Sequence, residues 1–251
     1  MKKSIMTNKY MYFVANWKMF GDLRTLNSLD KVIKFSKTNK KNNFKIIYCP
    51  PNTLIRPLSK RVKKTKIEVG AQNCHHSYDF GANTGQVNSR MLKSVGAKYV
   101  IIGHSENRLL GEDDKLINLK IKSALKADLK IIFCIGETLR EKRNNKTNKV
   151  LAKQIKNGLA SINNKSKIVI AYEPVWSIGS GLIPKSEDLK KSIAFIKNKF
   201  GKKFLKILYG GSVNGDNVDK LKNITGIDGF LVGGASQNPK KFIDIIKKTI
   251  N

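Results

Sequence analysis

Eight short runs of apolar and β-branched residues divide this chain at fairly regular intervals. Each run is apolar throughout instead of alternating with polar residues, as expected of parallel strands that are covered on both faces. Lysine-rich amphipathic stretches separate the runs, and the centres of neighbouring runs lie roughly 22 to 38 residues apart. That distance accommodates one strand, one crossover helix and its loops, so the pattern predicts eight parallel strands. The predicted strands are Tyr12–Ala15, Lys45–Cys49, Ile67–Ala71, Tyr99–Ile102, Lys130–Ile135, Ile168–Ala171, Leu205–Tyr209 and Gly229–Val232.

The stretches between the runs have the 3.6-residue period of amphipathic helices, as in the series Leu116, Leu119, Ile121, Leu125 and Leu129. No segment rich in Pro or Gly separates two compositions, so we predict a solvated tail at residues 1–9 and a single domain over residues 10–251. The alternation predicts an α/β fold, and 251 residues is a usual length for a (β/α)8 barrel with an outer ring of helices. Spacing alone leaves an open, doubly wound sheet as the alternative.

The charge balance is strongly basic, since 49 Lys and Arg against 18 Asp and Glu give a formal net charge of +31. Such an excess suits a nucleic-acid-binding protein, because cations that neutralise phosphates release counterions. However, only seven of these cations are Arg, whose planar fork favours base and phosphate recognition, and no five basic residues are consecutive. We therefore expect a solvated basic surface and no specific nucleic-acid partner.

Neither the apolar runs nor the cysteines indicate a membrane or a metal. Every run is far shorter than the roughly 18 to 20 residues that cross a bilayer. Cys49, Cys74 and Cys134 are odd in number and lack CxxC spacing, so we expect reduced thiols and a cytoplasmic protein. Three adjacent loop residues, Cys74-His75-His76, cannot easily face one ion, and we predict no metal ligand.

Chemically capable side chains follow three of the predicted strands, at the carboxyl ends where barrels build their active sites. Strand one runs into Asn16-Trp17-Lys18, strand four into Gly103-His104-Ser105-Glu106, and strand six into Tyr172-Glu173-Pro174. A single Lys, His or Glu after a strand is more often a solvated or capping residue. An ammonium, an imidazole and a carboxylate at matching strand ends together indicate proton abstraction beside a carbonyl group.

Glycine-rich turns follow the last two predicted strands. Gly210-Gly211-Ser212 and Gly233-Gly234-Ala235-Ser236 open helices whose free N–H groups can hold an anion. Either turn alone would be weak evidence, because Gly-Gly pairs are common in tight turns. Their coincidence with the three reactive side chains predicts a phosphorylated substrate.

Five segments make the chain similar to the triosephosphate isomerase family, in the order and at the spacing of that family. They are Asn16-Trp17-Lys18-Met19, Tyr99-Val-Ile-Ile-Gly-His-Ser-Glu106, Ala171-Tyr-Glu-Pro-Val-Trp176, Tyr209-Gly-Gly-Ser-Val213 and Gly229-Phe-Leu-Val-Gly-Gly-Ala-Ser236. The resemblance extends over about residues 9 to 250. It implies a (β/α)8 barrel of glycolysis or gluconeogenesis that interconverts dihydroxyacetone phosphate and D-glyceraldehyde 3-phosphate through an enediolate, without a cofactor.

The resemblance also implies the role of each reactive residue. Glu173 resembles the base that moves a proton between two carbons, and His104 the neutral electrophile at a helix N-terminus that donates hydrogen bonds to the substrate oxygens. Lys18 resembles the cation that offsets the charge of the enediolate, with Asn16 as a polar support. We expect the Lys18 ammonium to be buried and paired with Glu106, because a buried ammonium needs a partner.

The remaining site residues implied by the resemblance bind the phosphate. Backbone N–H groups at four residues resemble those that hold the dianion, and at the three glycines among them a Cβ atom would block close approach of the backbone. These residues are Gly179, Ser212, Gly233 and Gly234. Residues 174–180, PVWSIGS, resemble the lid that excludes water and suppresses loss of phosphate. Cys134 resembles a buried structural thiol.

The chain departs from the family where the family forms its homodimer interface. In the family, the loop after strand three usually contains an aromatic residue followed by Thr-Gly-Glu, whereas this chain has Asn83-Thr84-Gly85-Gln86. Asn107 replaces the first of two Arg after GHSE, and Phe20 replaces the Asn after NWKM. We expect a homodimer in which Thr84 reaches the partner's active site. Our hypotheses are that Gln86 and Asn107 form a neutral pair across the interface, and that Phe20 compensates for the aromatic lost at Asn83.

Two other functions remain open at this stage. One is a basic nucleic-acid-binding protein on a barrel scaffold, and the other is a different phosphosugar isomerase. The retained segments AYEPVW and GHSE favour the triose phosphate reaction over both.

Overall fold

The computed structural model describes residues 10–39, 43–200 and 205–250. Eight strands form one closed parallel barrel, in which each strand pairs with its neighbours in the sequence and the first pairs with the last. The strands are β1 Met11–Asn16, β2 Phe44–Cys49, β3 Glu68–Ala71, β4 Tyr99–Ile102, β5 Lys130–Ile135, β6 Ile168–Tyr172, β7 Lys206–Tyr209 and β8 Gly229–Val232. The closed barrel confirms the predicted fold and excludes the open sheet.

Ten α-helices lie in the described ranges, with every strand followed by at least one helix. They are α1 Asp30–Thr38, α2 Asn52–Val62, α3 Ser89–Ser94, α4 Ser105–Leu109, α5 Asp114–Lys126, α6 Leu139–Arg143, α7 Thr147–Gly158, α8 Ser186–Phe200, α9 Val218–Lys222 and α10 Pro239–Ile250. Short 3-10 turns occur at Arg24–Leu29, Val175–Ser177 and Gly234–Gln237. None of the described helices is both long enough and apolar enough to cross a membrane.

The predicted strands agree with the observed ones to within one residue at each end. Ile67 and Leu205 lie just outside β3 and β7, and their inclusion was wrong. The β2–β3 ladder begins at the pair Ile47↔Glu68, so Ile67 packs in the core without joining the sheet. The strand length is therefore set by the pairing partner and not by apolar character alone.

The predicted helical series is correct in its centre and wrong at two positions. Ile117, Ile121 and Ala124 form the buried stripe of α5, whereas Leu119 is 43% exposed. Leu129 is buried but follows the end of α5, where the chain turns into β5. Period alone cannot choose between two adjacent stripes of apolar residues on one helix.

The core has an inner part within the barrel and an outer part between strands and helices. Inward-facing residues of the strands fill the barrel. They are Val14, Ile47, Cys49, Tyr99, Ile101, Ile132, Cys134, Val169, Ala171, Leu208 and Leu231. On the outside, Trp17 and Phe242 each meet the ring of Tyr48 edge-on, at centroid distances of 5.6 Å and 5.5 Å. This aromatic contact fixes the end of β1 against α10, so the loop that follows β1 starts from a rigid position.

The basic residues lie mostly in contact with solvent. Lys120 is the only buried lysine in the part of the chain that the structure describes, and it forms an ion pair with Glu112. Exposed lysines suit the solvated surface that the composition predicts. The tail predicted at residues 1–9 lies outside the described residues.

Candidate active site

One cavity at the carboxyl ends of the strands brings together eight of the ten residues predicted for the site. It has a volume of about 310 Å³ and lies between the loops that follow β1, β4, β6, β7 and β8. The eight residues on its wall are Asn16, Lys18, His104, Glu173, Gly179, Ser212, Gly233 and Gly234. Residues from distant parts of the sequence therefore meet at one place.

His104 and Glu173 face each other in this cavity. Nε2 of His104 lies 3.4 Å from Oε1 of Glu173, and both side chains are almost fully buried. His104 is the N-cap of α4, and its Nδ1 accepts a hydrogen bond from the backbone N–H of Glu106 at 3.3 Å. Because an accepting Nδ1 carries no proton, the neutral ring has its proton on Nε2, which points toward Glu173.

Glu173 is a buried carboxylate with little direct support. Burial raises the pKa of Glu173, and His104, the Cys134 thiol and Lys18 oppose part of that rise. Its Oε2 atom has no hydrogen-bond partner within the described residues. A carboxylate that is neither solvated nor fully hydrogen-bonded is a stronger proton acceptor than one in water.

Lys18 is held in a strained backbone conformation. Its φ of 55° lies in the left-handed region, which non-glycine residues seldom adopt. Two side chains fix this conformation, since Asn16 Oδ1 accepts from the Lys18 N–H at 3.1 Å and Gln72 Nε2 donates to the Lys18 carbonyl at 2.8 Å. Strain that neighbouring groups maintain is common at active sites.

The predicted pairing of Lys18 with Glu106 is present, but Lys18 is not buried. Its Nζ lies 2.5 Å from Oε1 of Glu106, with 30% of the Lys18 side chain and 53% of the Glu106 side chain exposed. The expectation of burial was wrong for this single chain, because a second cavity of about 280 Å³ opens beside the pair. Lys18, His104, Glu106 and Asn107 lie on the wall of that cavity.

Gly179 and the glycine turns after β7 and β8 line the first cavity. A Cβ atom built on Gly179 or Gly234 would meet no other atom within 4 Å, so both face open space. Gly179 has a φ of 70°, which a side chain would disfavour. Backbone can therefore approach a ligand closely at these positions.

The lid segment is docked against the turn after β7. The Gly181 N–H donates to Ser212 Oγ at 3.1 Å, and Ser212 Oγ in turn donates to the Ser177 carbonyl at 2.7 Å. At its base, Trp176 Nε1 donates to Glu137 Oε1 at 3.1 Å. Burial raises the pKa of Glu137, which the Trp176 hydrogen bond partly offsets. The segment predicted to be a lid therefore forms part of the cavity wall, through Ile178 and Gly179.

Thr84 is the predicted site residue that does not reach either cavity. It lies on an exposed loop between β3 and α3 with Asn83 and Gln86, which are exposed as well. The Gln86 N–H donates to the Asn83 carbonyl at 3.0 Å, so the tip is a tight turn. In a single chain this loop extends into solvent.

Two glycines that contact Glu173 were not predicted as its neighbours. A Cβ on Gly210 would lie 2.6 Å from Glu173 Cγ, and one on Gly136 would lie 1.8 Å from the Glu173 carbonyl oxygen. Gly210 belongs to a motif quoted for its turn, but its closeness to the base depends on strand register, which the sequence does not display.

The fold and the site define a class of protein: a (β/α)8 enzyme that moves protons on a phosphorylated substrate. A sequence model described as triosephosphate isomerase matches residues 11–249. The chain belongs to the triosephosphate isomerase family, and its activity is that of an isomerase.

Individual relatives cover nearly the whole chain. The triosephosphate isomerase of Thermodesulfovibrio yellowstonii is 43% identical over 244 residues, 94% of this chain and 98% of that protein. That of Saccharomyces cerevisiae is 41% identical, covering 94% of this chain and 97% of the yeast protein. The crystal structure of the Bartonella henselae enzyme superposes with a TM-score of 0.87 at 34% identity, covering 96% of this chain and 100% of that one.

Proposed function

We propose that Glu173, His104 and Lys18 carry out the interconversion of dihydroxyacetone phosphate and D-glyceraldehyde 3-phosphate in this cavity, as one catalytic domain over residues 10–251. The observation that carries the proposal is the close approach of His104 Nε2 to Glu173 Oε1 in a cavity that Lys18 also borders. A base, a hydrogen-bond donor and a cation therefore surround one space.

In the proposed reaction the Glu173 carboxylate removes a proton from the carbon next to the substrate carbonyl. The electron pair of the broken C–H bond moves to the carbonyl oxygen and produces an enediolate. His104 Nε2–H and the Lys18 ammonium stabilise the oxygens that gain charge. Glu173 then returns the proton to the neighbouring carbon, while the hydroxyl proton passes from the first substrate oxygen to the second, so that the carbonyl group forms on the first carbon. Because the proton and the electrons stay within the substrate and Glu173, the reaction balances without a cofactor.

The phosphate group of the substrate is assigned to the part of the cavity lined by Gly179, Ser212, Gly233 and Gly234. We assign its contacts to the backbone at these four residues, of which Gly179 and Gly234 face open space. The docked lid excludes water, which strengthens the electrostatic stabilisation of the enediolate. Exposed lysines attract the dianion before it binds, an effect that salt weakens.

The second cavity, beside Lys18 and Glu106, suggests that a second copy of the chain is the partner. Apolar side chains near this cavity are exposed to an extent unusual for a monomer surface. Met19 is 100% exposed, Leu109 78% and Leu110 86%. We propose a homodimer that covers these residues and inserts the Thr84 loop of each chain beside Lys18 of the other. The neutral Gln86–Asn107 pair and the Phe20–Asn83 exchange belong to this proposed interface.

A coupled assay with glyceraldehyde 3-phosphate tests the proposed reaction. The wild type is expected to convert it to dihydroxyacetone phosphate, and Glu173→Asp is expected to be at least roughly 100-fold slower because its carboxylate is displaced. An inactive wild type, or an equally fast variant, would remove the assignment. A five-carbon sugar phosphate serves as a parallel substrate, and its faster turnover would favour a different phosphosugar isomerase.

Because the net charge is +31, the alternative function of nucleic-acid binding is tested as well. We expect binding to duplex DNA to be weak and to vanish at modest salt, because scattered lysines supply only nonspecific attraction. Binding that survives high salt and prefers one sequence would support the alternative instead. We also propose a cytoplasmic location, which cell fractionation tests.

A further inference from the structure

Gln154, on the inner side of α7, holds the backbone of Gly136 with both ends of its amide group. Its Oε1 atom accepts a hydrogen bond from the Gly136 N–H at 2.9 Å, and its Nε2 atom donates to the Gly136 carbonyl at 3.0 Å. Gln154 is 9% exposed, so water has little access to these two bonds. One side chain therefore gives Gly136 both a donor and an acceptor, as a neighbouring strand would. The proposed reaction assigns no role to Gln154.

Gly136 lies against the backbone of Glu173. It directly follows β5, whose last residue, Ile135, accepts a hydrogen bond from the Glu173 N–H at 2.8 Å. A Cβ atom built on Gly136 would lie 1.8 Å from the Glu173 carbonyl oxygen and 2.5 Å from its carbonyl carbon, so no side chain fits between the two segments. Any movement of residues 135 and 136 is therefore passed on to Glu173.

Loss of the Gln154 amide would release Gly136 from α7. Two buried polar groups, the Gly136 N–H and its carbonyl, would then lack partners, which favours a shift of this segment toward other partners. Such a shift would move Glu173 relative to His104, whose Nε2 now lies 3.4 Å from Glu173 Oε1. Displacements of about 1 Å at reacting groups can slow a reaction about 100-fold.

We propose that Gln154 is a positioning residue for the reaction: by fixing the backbone of Gly136, it sets where the Glu173 carboxylate meets the substrate. The inference rests on the proposed function, in which Glu173 removes the proton. Gln154 is absent from the described residues that line the two cavities, so it has no contact with bound substrate. Its effect therefore falls on proton transfer, and kcat changes while KM does not.

The test compares Gln154→Met with Asn118→Leu. Asn118 is also a buried amide, 7% exposed, and its Nδ2 atom donates to the carbonyls of Gly158 and Ala160, at 3.0 Å each, at the end of α7. Both substitutions keep the approximate side-chain size and remove two hydrogen bonds, so their losses of stability should be similar. With glyceraldehyde 3-phosphate, we expect Gln154→Met to lower kcat roughly tenfold and to change KM less than about twofold. Asn118→Leu should keep the kcat and KM of the wild type.

Deuterium on carbon 2 of glyceraldehyde 3-phosphate distinguishes a displaced base from a loss of folded protein. A displaced Glu173 carboxylate slows the step that breaks this bond, so the isotope effect on kcat should be larger in Gln154→Met than in the wild type. A smaller folded fraction slows both isotopes equally and leaves the isotope effect unchanged. An unchanged isotope effect, a higher KM at unchanged kcat, or an equal loss of kcat in Asn118→Leu would overturn the inference.

Gln154→Asn is the second variant, for use if the methionine variant does not fold. It keeps the amide on a side chain that is one CH2 group shorter, so the two hydrogen bonds to Gly136 cannot both keep their lengths. We expect kcat below the wild type and an isotope effect above it, and wild-type values of both would contradict the proposed role. A wild type that fails to isomerise glyceraldehyde 3-phosphate would instead remove the proposed function, so the two failures are distinguishable.

Discussion

The Lys18 ammonium is paired with Glu106, a residue 88 positions later in the chain. Lys18 Nζ lies 2.5 Å from Glu106 Oε1, and both residues lie on the wall of the second cavity. Both side chains are partly exposed, so the pair contributes little to folding. In the proposed reaction, the pair would fix the position of the charge that stabilises the enediolate.

Glu106→Gln is therefore expected to reduce activity more than stability. We expect kcat/KM to fall roughly tenfold, equivalent to about 1.4 kcal/mol, because Lys18 loses its anchor. The free energy of unfolding should change by less than about 1 kcal/mol. Steady-state kinetics and denaturant unfolding measure the two quantities. Glu187→Gln, which breaks the exposed pair with Lys190, is the control and should leave both unchanged.

Glu173→Gln is expected to abolish isomerisation and to stabilise the fold. A carboxyl pKa raised in the folded state means that stability falls as pH rises from about 4.5 through that raised pKa. The amide lacks this titration, so its advantage should be absent near pH 4 and complete above the raised pKa. A gain of about 1 kcal/mol corresponds to a Tm increase of about 2 to 4 °C. Thermal unfolding of both proteins at pH 4 and 8 provides the check, and an equal Tm difference at both pH values would contradict it.

Gly210→Ala is expected to displace Glu173, the proposed base. The new Cβ would lie 2.6 Å from Glu173 Cγ, so the side chain must move away. We expect kcat to fall about 100-fold, since a displacement of about 1 Å has that effect on proton transfer. Gly81→Ala, whose Cβ meets only one side-chain atom at 3.5 Å, is the matched control. Equal kcat values for the two variants would show that Gly210 does not limit the position of Glu173.

Leu110→Glu is expected to weaken the proposed dimer. Leu110 is 86% exposed in one chain, so the substitution costs little if this surface stays in water. In a dimer it would bury an unpaired carboxylate, and we expect the dimer dissociation constant to rise at least roughly tenfold. Sedimentation over a dilution series measures the constant, with activity followed in parallel. Leu139→Glu, on α6 and 42% exposed, is the control.

Much of the fold was predictable because its signals are local. The run Lys130–Ile135 is apolar at every position after the first and is preceded by an amphipathic helix, so its assignment as β5 needed no knowledge of the rest of the chain. Ile67 was placed in a strand for the same reason and lies outside it. Pairing with Ile47 decides where β3 begins, and pairing is a property of two distant segments.

The site was predictable as a set of residues but not as a set of contacts. Glu173 and His104 could be named from their strand ends and motifs. The exposure of the Lys18 side chain depends on whether another chain covers it. The sequence of one chain does not show whether such a partner binds there. Ser177 stands in the quoted segment PVWSIGS, but its contacts with Tyr209 and Leu182 form only when the closed barrel brings those residues to it.

The left-handed backbone conformation of Lys18 lowers the stability of the fold, while its ammonium serves turnover in the proposed reaction. A strained residue of this kind costs about 1 to 3 kcal/mol, and glycine would relieve most of it while removing the ammonium. Variants of this chain selected for heat resistance alone would accumulate glycine at position 18, whereas selection for turnover would eliminate it.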